Sequence, residues 1–115
     1  METKIVKDKI TKVELKTLAR EQYGDIIKAV VDIEQKIMGV GGELHVDIQS
    51  FLIEKENSEA QNTWGINLYL DKAGKDFIEF DSMINLKPIL GNKSRSVESV
   101  ETQDKIREIV TKLVK

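Results

Sequence analysis

The sequence contains no cysteine. That excludes a disulfide framework, a thiol nucleophile and any cysteine-ligated zinc or iron–sulfur centre. No apolar run exceeds three residues, as in Ala29-Val30-Val31 and Phe51-Leu52-Ile53, so no segment is long enough to span a membrane. Residues 1–9 lack the apolar stretch of a signal peptide. There is a single proline, Pro88, no internal repeat and no low-complexity tract. An excess of one charge is missing as well. Eighteen basic and twenty acidic side chains leave a net charge of −2, which rules out a generally basic nucleic-acid coat and an acidic tail. What remains is a chain of 115 residues, 40% hydrophobic and 33% charged. It is expected to form one soluble domain, residues 1–115, large enough to bury a core without staples. Without cysteine or a leader, the expected location is cytoplasmic.

The near-neutral total hides an uneven layout. Residues 1–24 carry six basic and four acidic side chains, residues 25–85 five and twelve, and residues 86–115 seven and four. The middle of the chain is acidic and both ends are basic.

Local patterns give an element order. A short edge strand is expected within residues 4–9. Thr11 and Glu14 have the spacing of a capping box, and Ile10 and Leu15 that of a hydrophobic staple. Leu15, Leu18, Ala19 and Tyr23 then form an apolar helical stripe that Gly24 closes. Residues 28–34 alternate as a strand, with Ala29, Val31 and Ile33 inward and Val30, Asp32 and Glu34 outward. Gln35-Lys36 turns into a second strand at residues 37–40. Gly39, Gly41 and Gly42 read as a tight turn or bulge. The chain is then expected to be extended from Glu43, with Asp47 capping a short helix that carries Ile48, Phe51 and Leu52. Residues 54–63 are the expected disordered stretch. A hairpin follows, with Trp64, Ile66, Leu68 and Leu70 on one arm, turn residues 71–76, and Ile78, Phe80, Ile84 and Leu86 on the other. Residues 88–96 form a loop. A final helix starts at Ser99 or Thr102, with Ile106, Ile109, Val110, Leu113 and Val114 in one stripe.

This order predicts an α+β fold: a mostly antiparallel sheet of four to five strands, two amphipathic helices on one face and a short extra helix. Asp32, Glu34, Glu79 and Asp81 are expected on the outer strand face. They would make it an acidic surface for a homodimer or protein partner, carrying Tyr69, Phe77 and Met83 among the acids.

Two constellations carry potential chemistry. In extended backbone Glu43, His45 and Asp47 share one face. An imidazole between two carboxylates suits a divalent metal or a general base. Asp81 from a neighbouring strand would complete a metal set with His45 and Asp47. The second constellation is Asn92-Lys93-Ser94-Arg95, where an amide, a hydroxyl and two cations can hold a phosphate or carboxylate. It lacks the glycine spacing of a P-loop. The leading expectation is a binding or interaction module without a cofactor. The alternative is a metal-dependent hydrolase or nuclease using Glu43, His45 and Asp47 with the Lys93/Arg95 loop. Basic neighbours are too few around the outer aromatics for a nucleic-acid platform.

The strings Gly41-Gly42-Glu43-Leu44-His45, Trp64-Gly65-Ile66-Asn67-Leu68-Tyr69, Glu79-Phe80-Asp81-Ser82-Met83-Ile84-Asn85 and Gly91-Asn92-Lys93-Ser94-Arg95 resemble a family of small prokaryotic proteins of unknown function. The resemblance runs from about Leu15 to Leu113. It implies a stand-alone protein and brings no activity with it.

Overall fold

A computed structural model describes residues 2–21 and 24–115; Tyr23, expected in the first helical stripe, lies outside them. The elements are β1 (Lys4–Val6), α1 (Lys12–Arg20), β2 (Ile26–Asp32), β3 (Ile37–Val40), α2 (His45–Glu56), β4 (Thr63–Tyr69), β5 (Ile78–Glu79) and α3 (Val100–Leu113), with short 3-10 turns between the later ones. The five strands lie in the order β1-β3-β2-β4-β5, and every neighbouring pair is antiparallel. The fold is α+β.

The helix ends form where the sequence places their caps. The Thr11 hydroxyl accepts from the Glu14 amide at 3.1 Å, and the Glu14 carboxylate accepts from the Thr11 amide at 3.3 Å. Ile10 and Leu15, the two staple positions, are both fully buried. Ser99 caps α3 through the Thr102 amide. The stripe Ile106, Ile109, Val110 and Leu113 is buried. It packs with Leu15 and Ala19 of α1 against Ala29, Val31, Met38, Val40, Trp64, Ile66 and Leu68. This is the main core, and two helices cover it on one face.

The other face of the sheet is not left to solvent. Val30 and Ile37 point to it and pack against Ile48 and Leu52 of α2. The run Ala29-Val30-Val31 is therefore buried on both sides, as a strand covered by helices on both faces must be. Glycines let α2 approach. A Cβ on Gly39 would lie 2.7 Å from Ile48 Cγ2, and one on Gly42 would lie 2.6 Å from Ile48 Cγ1. Gly39 thus sits within β3 as a seat for α2, and only Gly41, at φ +93°, serves the turn expected of the glycine run.

Other expectations are corrected by where polar groups find partners. Asp32 is 1% exposed and does not line an acidic face. Its carboxylate ties the β2–β3 turn, accepting from the Glu34 and Gln35 amides, the Gln35 side chain and, at 2.6 Å, the Ser58 hydroxyl. Glu34 lies in that turn. The same contacts order residues 54–63. Asn57 adopts the left-handed conformation that ends α2, Gln35 Nε2 donates to the Glu56 carbonyl at 2.8 Å, and a 3-10 turn at Ala60–Asn62 leads into β4. The second hairpin arm is shorter than the alternation of residues 78–86 suggests. Ser82 donates its amide to the Arg95 carbonyl at 3.0 Å, and its hydroxyl caps a 3-10 turn at Met83–Asn85. These bonds draw the chain off the sheet edge and over the face that α2 half covers.

Candidate functional site

The predicted extended run at Glu43, His45 and Asp47 is instead the start of α2, with Leu44 as N-cap. Residues two apart on a helix diverge by about 200°, so His45 turns inward while Glu43, ahead of the helix, and Asp47 are exposed. His45 is 8% exposed, and its Nε2 lies 2.8 Å from the Ile66 carbonyl oxygen. A carbonyl only accepts, so Nε2 carries the proton in the neutral ring. A Cβ on Gly65 would lie 2.5 Å from Ser82 Cβ and Oγ and 3.1 Å from His45 Cδ2; the glycine makes room for Ser82 first and for the imidazole beside it.

Burial lowers the pKa of His45, the positive charges of Lys28 and Arg95 add to that, and the Ile66 carbonyl and Asp81 oppose it. The sign of the pH dependence follows. A histidine whose folded pKa lies below its unfolded value binds fewer protons when folded, so protonation favours unfolding. Stability is full above the unfolded value, about 6.5, and falls as pH drops below it. Urea midpoints measured from pH 7.5 down to pH 5.5 are expected to decline in the native protein. The decline should be flatter in His45→Gln, whose amide can still donate to Ile66. An equal slope in both proteins would contradict this role.

Asp81 and Arg95 are brought close to His45, but they engage each other, with Arg95 Nε donating to Asp81 Oδ1 at 2.7 Å. Among the described residues no three histidine, aspartate or glutamate side chains converge to hold a metal. His45, Asp47 and Asp81 therefore do not assemble as the metal set that the sequence suggests.

The loop candidates have structural work. Asn92 is buried, and its amide donates to the Asn85, Ser94 and Ser96 carbonyls while its oxygen accepts from the Glu98 amide at 2.9 Å. The Ser94 hydroxyl accepts from the Ser96 amide, and the Lys93 amide donates to Glu98. Lys93 and Arg95 remain exposed at the surface of this loop.

Sequence reasoning missed the residue at the centre. Asn85 is fully buried. Its Oδ1 accepts from the Gly65 amide at 2.8 Å, and its Nδ2 donates to the Gly65 carbonyl at 3.0 Å and the Arg95 carbonyl at 2.9 Å. β5 ends before it reaches Gly65, and the Asn85 amide replaces it as the partner of β4's open edge. Lys87 adds a third pin. Its Nζ donates to the Ala60 and Ile84 carbonyls, both at 2.9 Å, and lies over the Trp64 ring. Burial holds its pKa below the ordinary lysine value.

This scaffolding supports an unusual surface. Residues 83–90 expose Met83, Leu86, Ile89 and Leu90, with Ile89 completely open to solvent. The 3-10 turn Met83–Asn85 packs on α2 through Ile84, and α2 itself exposes Val46 and Ile53, with Leu44 at its cap. The one signal in the sequence is Pro88-Ile89-Leu90-Gly91, two large apolar residues set between turn formers with no strand or helix to bury them. No described helix is long and apolar enough to cross a membrane.

A family model described as a protein of unknown function, DUF5674, matches residues 4–113, and the chain belongs to that family. No curated protein and no solved structure matches it.

Proposed function

We propose that this member of the DUF5674 family is a non-catalytic binding module that pairs with a second copy of itself through the face formed by α2 and residues 83–90. One observation carries the reading. Nine large apolar residues are exposed among the described ones, and seven of them belong to α2, its N-cap and residues 83–90, segments that pack together through Ile84; the other two, Val13 and Val100, stand apart near the starts of α1 and α3. Scattered apolar residues are normal on a surface, whereas a concentration of them marks an interaction site.

Two further features support a copy of the same chain as the partner. The 83–90 loop is held by buried amides at Asn85 and Asn92, so little order is lost on docking. Charge favours self-pairing as well. Residues 43–59 carry five acidic side chains and one lysine; residues 83–97 carry no acid, with Lys93 and Arg95 exposed and Lys87 turned inward onto two carbonyls. A two-fold contact sets the basic loop of each copy against the acidic helix of the other.

The catalytic alternative finds less support. His45 uses Nε2 on a backbone carbonyl, and Arg95 is bonded to Asp81. Sedimentation velocity over a wide concentration range tests the proposal. A reversible monomer–dimer equilibrium is expected, tightening at low salt because the charges are exposed. A single monomeric species at every concentration and salt would remove it.

A further inference from the structure

Among the clefts that open on the surface, three are of similar size. One is lined by Asp32, Glu34, Glu56 and Glu59, and another mixes lysines with Glu34 and Glu108. The third differs. It measures about 460 Å³ and lies between the start of α1, the second half of α3 and the tip of the β4–β5 hairpin. That volume lies in the range of small-molecule sites. Lys12 comes from α1, Lys75 from the hairpin tip and Arg107 from α3, while the half-buried Phe77 and Ile78 supply apolar surface and Thr111 a hydroxyl. None of its described lining residues is acidic.

Three cations from three separate elements around one cleft repel one another. In a chain with more acids than bases, their meeting without a lining carboxylate leaves a local positive potential. Low-dielectric walls focus such a potential onto an incoming anion. Lys12 lies 5.5 Å from the centre of the Phe77 ring, and Arg107 lies 5.0 Å from that of Phe80. The aromatic rings steady both cations. Arg107 also meets Asp104 at 3.3 Å, in a pair exposed on both sides. Such a pair is weak, and an incoming anion competes for the guanidinium with little loss.

We propose that this cleft is a binding site for a small amphipathic anion, whose carboxylate, sulfonate or phosphate meets Lys12, Lys75 and Arg107 while its flat apolar body lies on Phe77 and Ile78. The site is remote in sequence from the α2 and 83–90 face and stands independently of the dimer.

The test uses anilinonaphthalene sulfonate as probe, with neutral phenylnaphthylamine as the same aromatic body without the anion. Binding is followed by fluorescence and by amide chemical shifts of the labelled protein. A saturable site is expected, with shifts centred on Gly74, Phe77 and Thr111. Loss of the sulfonate should weaken binding about tenfold, as for a charge-assisted bond. The double variant Lys75→Glu/Arg107→Glu should weaken the anionic probe by at least about tenfold. Thr111→Trp, which fills the cleft and keeps its charges, should block both probes. Circular dichroism confirms that each variant is folded, and Lys75→Glu alone serves if the double variant is not. Shifts centred on Ile53 and Ile89, equal binding of the two probes, or unchanged binding by the folded variants would each overturn the proposal.

Discussion

Replacing Asn85 with alanine is expected to cost about 2–5 kcal/mol of folding stability, because it leaves two buried backbone groups without partners at about 1–3 kcal/mol each. The two are the Gly65 amide and the Gly65 carbonyl; the Arg95 carbonyl loses one donor but keeps the Ser82 amide. Water can reach some of them once the side chain is gone, which keeps the sum below its upper limit. Against a typical domain stability of about 5–15 kcal/mol the loss is severe. Asn85→Asp should do no better. It keeps an acceptor for the Gly65 amide but turns the donor side into a carboxylate oxygen facing two carbonyls, in a fully buried place. Urea unfolding reads the loss, and amide exchange at Gly65 shows where it occurs. A change under about 1 kcal/mol would mean that β4's edge is held by something other than this amide.

Ile89→Asp is expected to abolish self-association while leaving the fold alone. The side chain is wholly exposed, in a 3-10 turn closed by Gly91 at φ +80°, so the substitution should move stability by no more than about 0.5 kcal/mol. At the interface it does two things. It removes a central apolar anchor, and it sets a negative charge against the acidic side chains of α2 in the partner. Truncation of such an anchor commonly costs about 2 kcal/mol or more, and the repulsion adds to it. Both equivalent contacts of the two-fold dimer lose their anchor, so the dissociation constant should rise by about a thousandfold or more. Val13→Asp, on α1 and equally open in kind, should leave it unchanged. A dimer that survives Ile89→Asp would show that the copies meet elsewhere.

Much of the framework is legible in the sequence because it rests on local chemistry. The Thr11–Glu14 capping box, the Ile10–Leu15 staple and the stripe of α3 depend on neighbours a few residues away. The same holds for the alternation in β4, with Trp64, Ile66 and Leu68 inward and Asn67 and Tyr69 outward. What escaped depends on contacts between distant residues. Val30 looked outward by alternation, yet α2 covers it, and the seats for α2 are glycines that also read as turn formers. Asn85 and Asn92 look like ordinary loop residues; only their burial against backbone groups reveals them as pins. His45 looks ligand-like because its neighbours Glu43 and Asp47 alternate with it, and the start of α2 at His45 turns it inward, away from both. The polar residues after Gly91 stand out by their side-chain chemistry, whereas the exposed pair Ile89-Leu90 just before them shows itself only once its exposure is known.

The central claim is that residues 83–90 of one copy meet α2 of another. Because the chain has no native cysteine, single cysteines report on this directly. One preparation carries Glu54→Cys on α2 and a second carries Lys93→Cys beside the loop, and the two are mixed under mild oxidation. A disulfide-linked heterodimer that forms well above the level seen when Lys93→Cys is mixed with Glu101→Cys on α3 is the predicted result. Cross-linking no greater than that control would contradict the account.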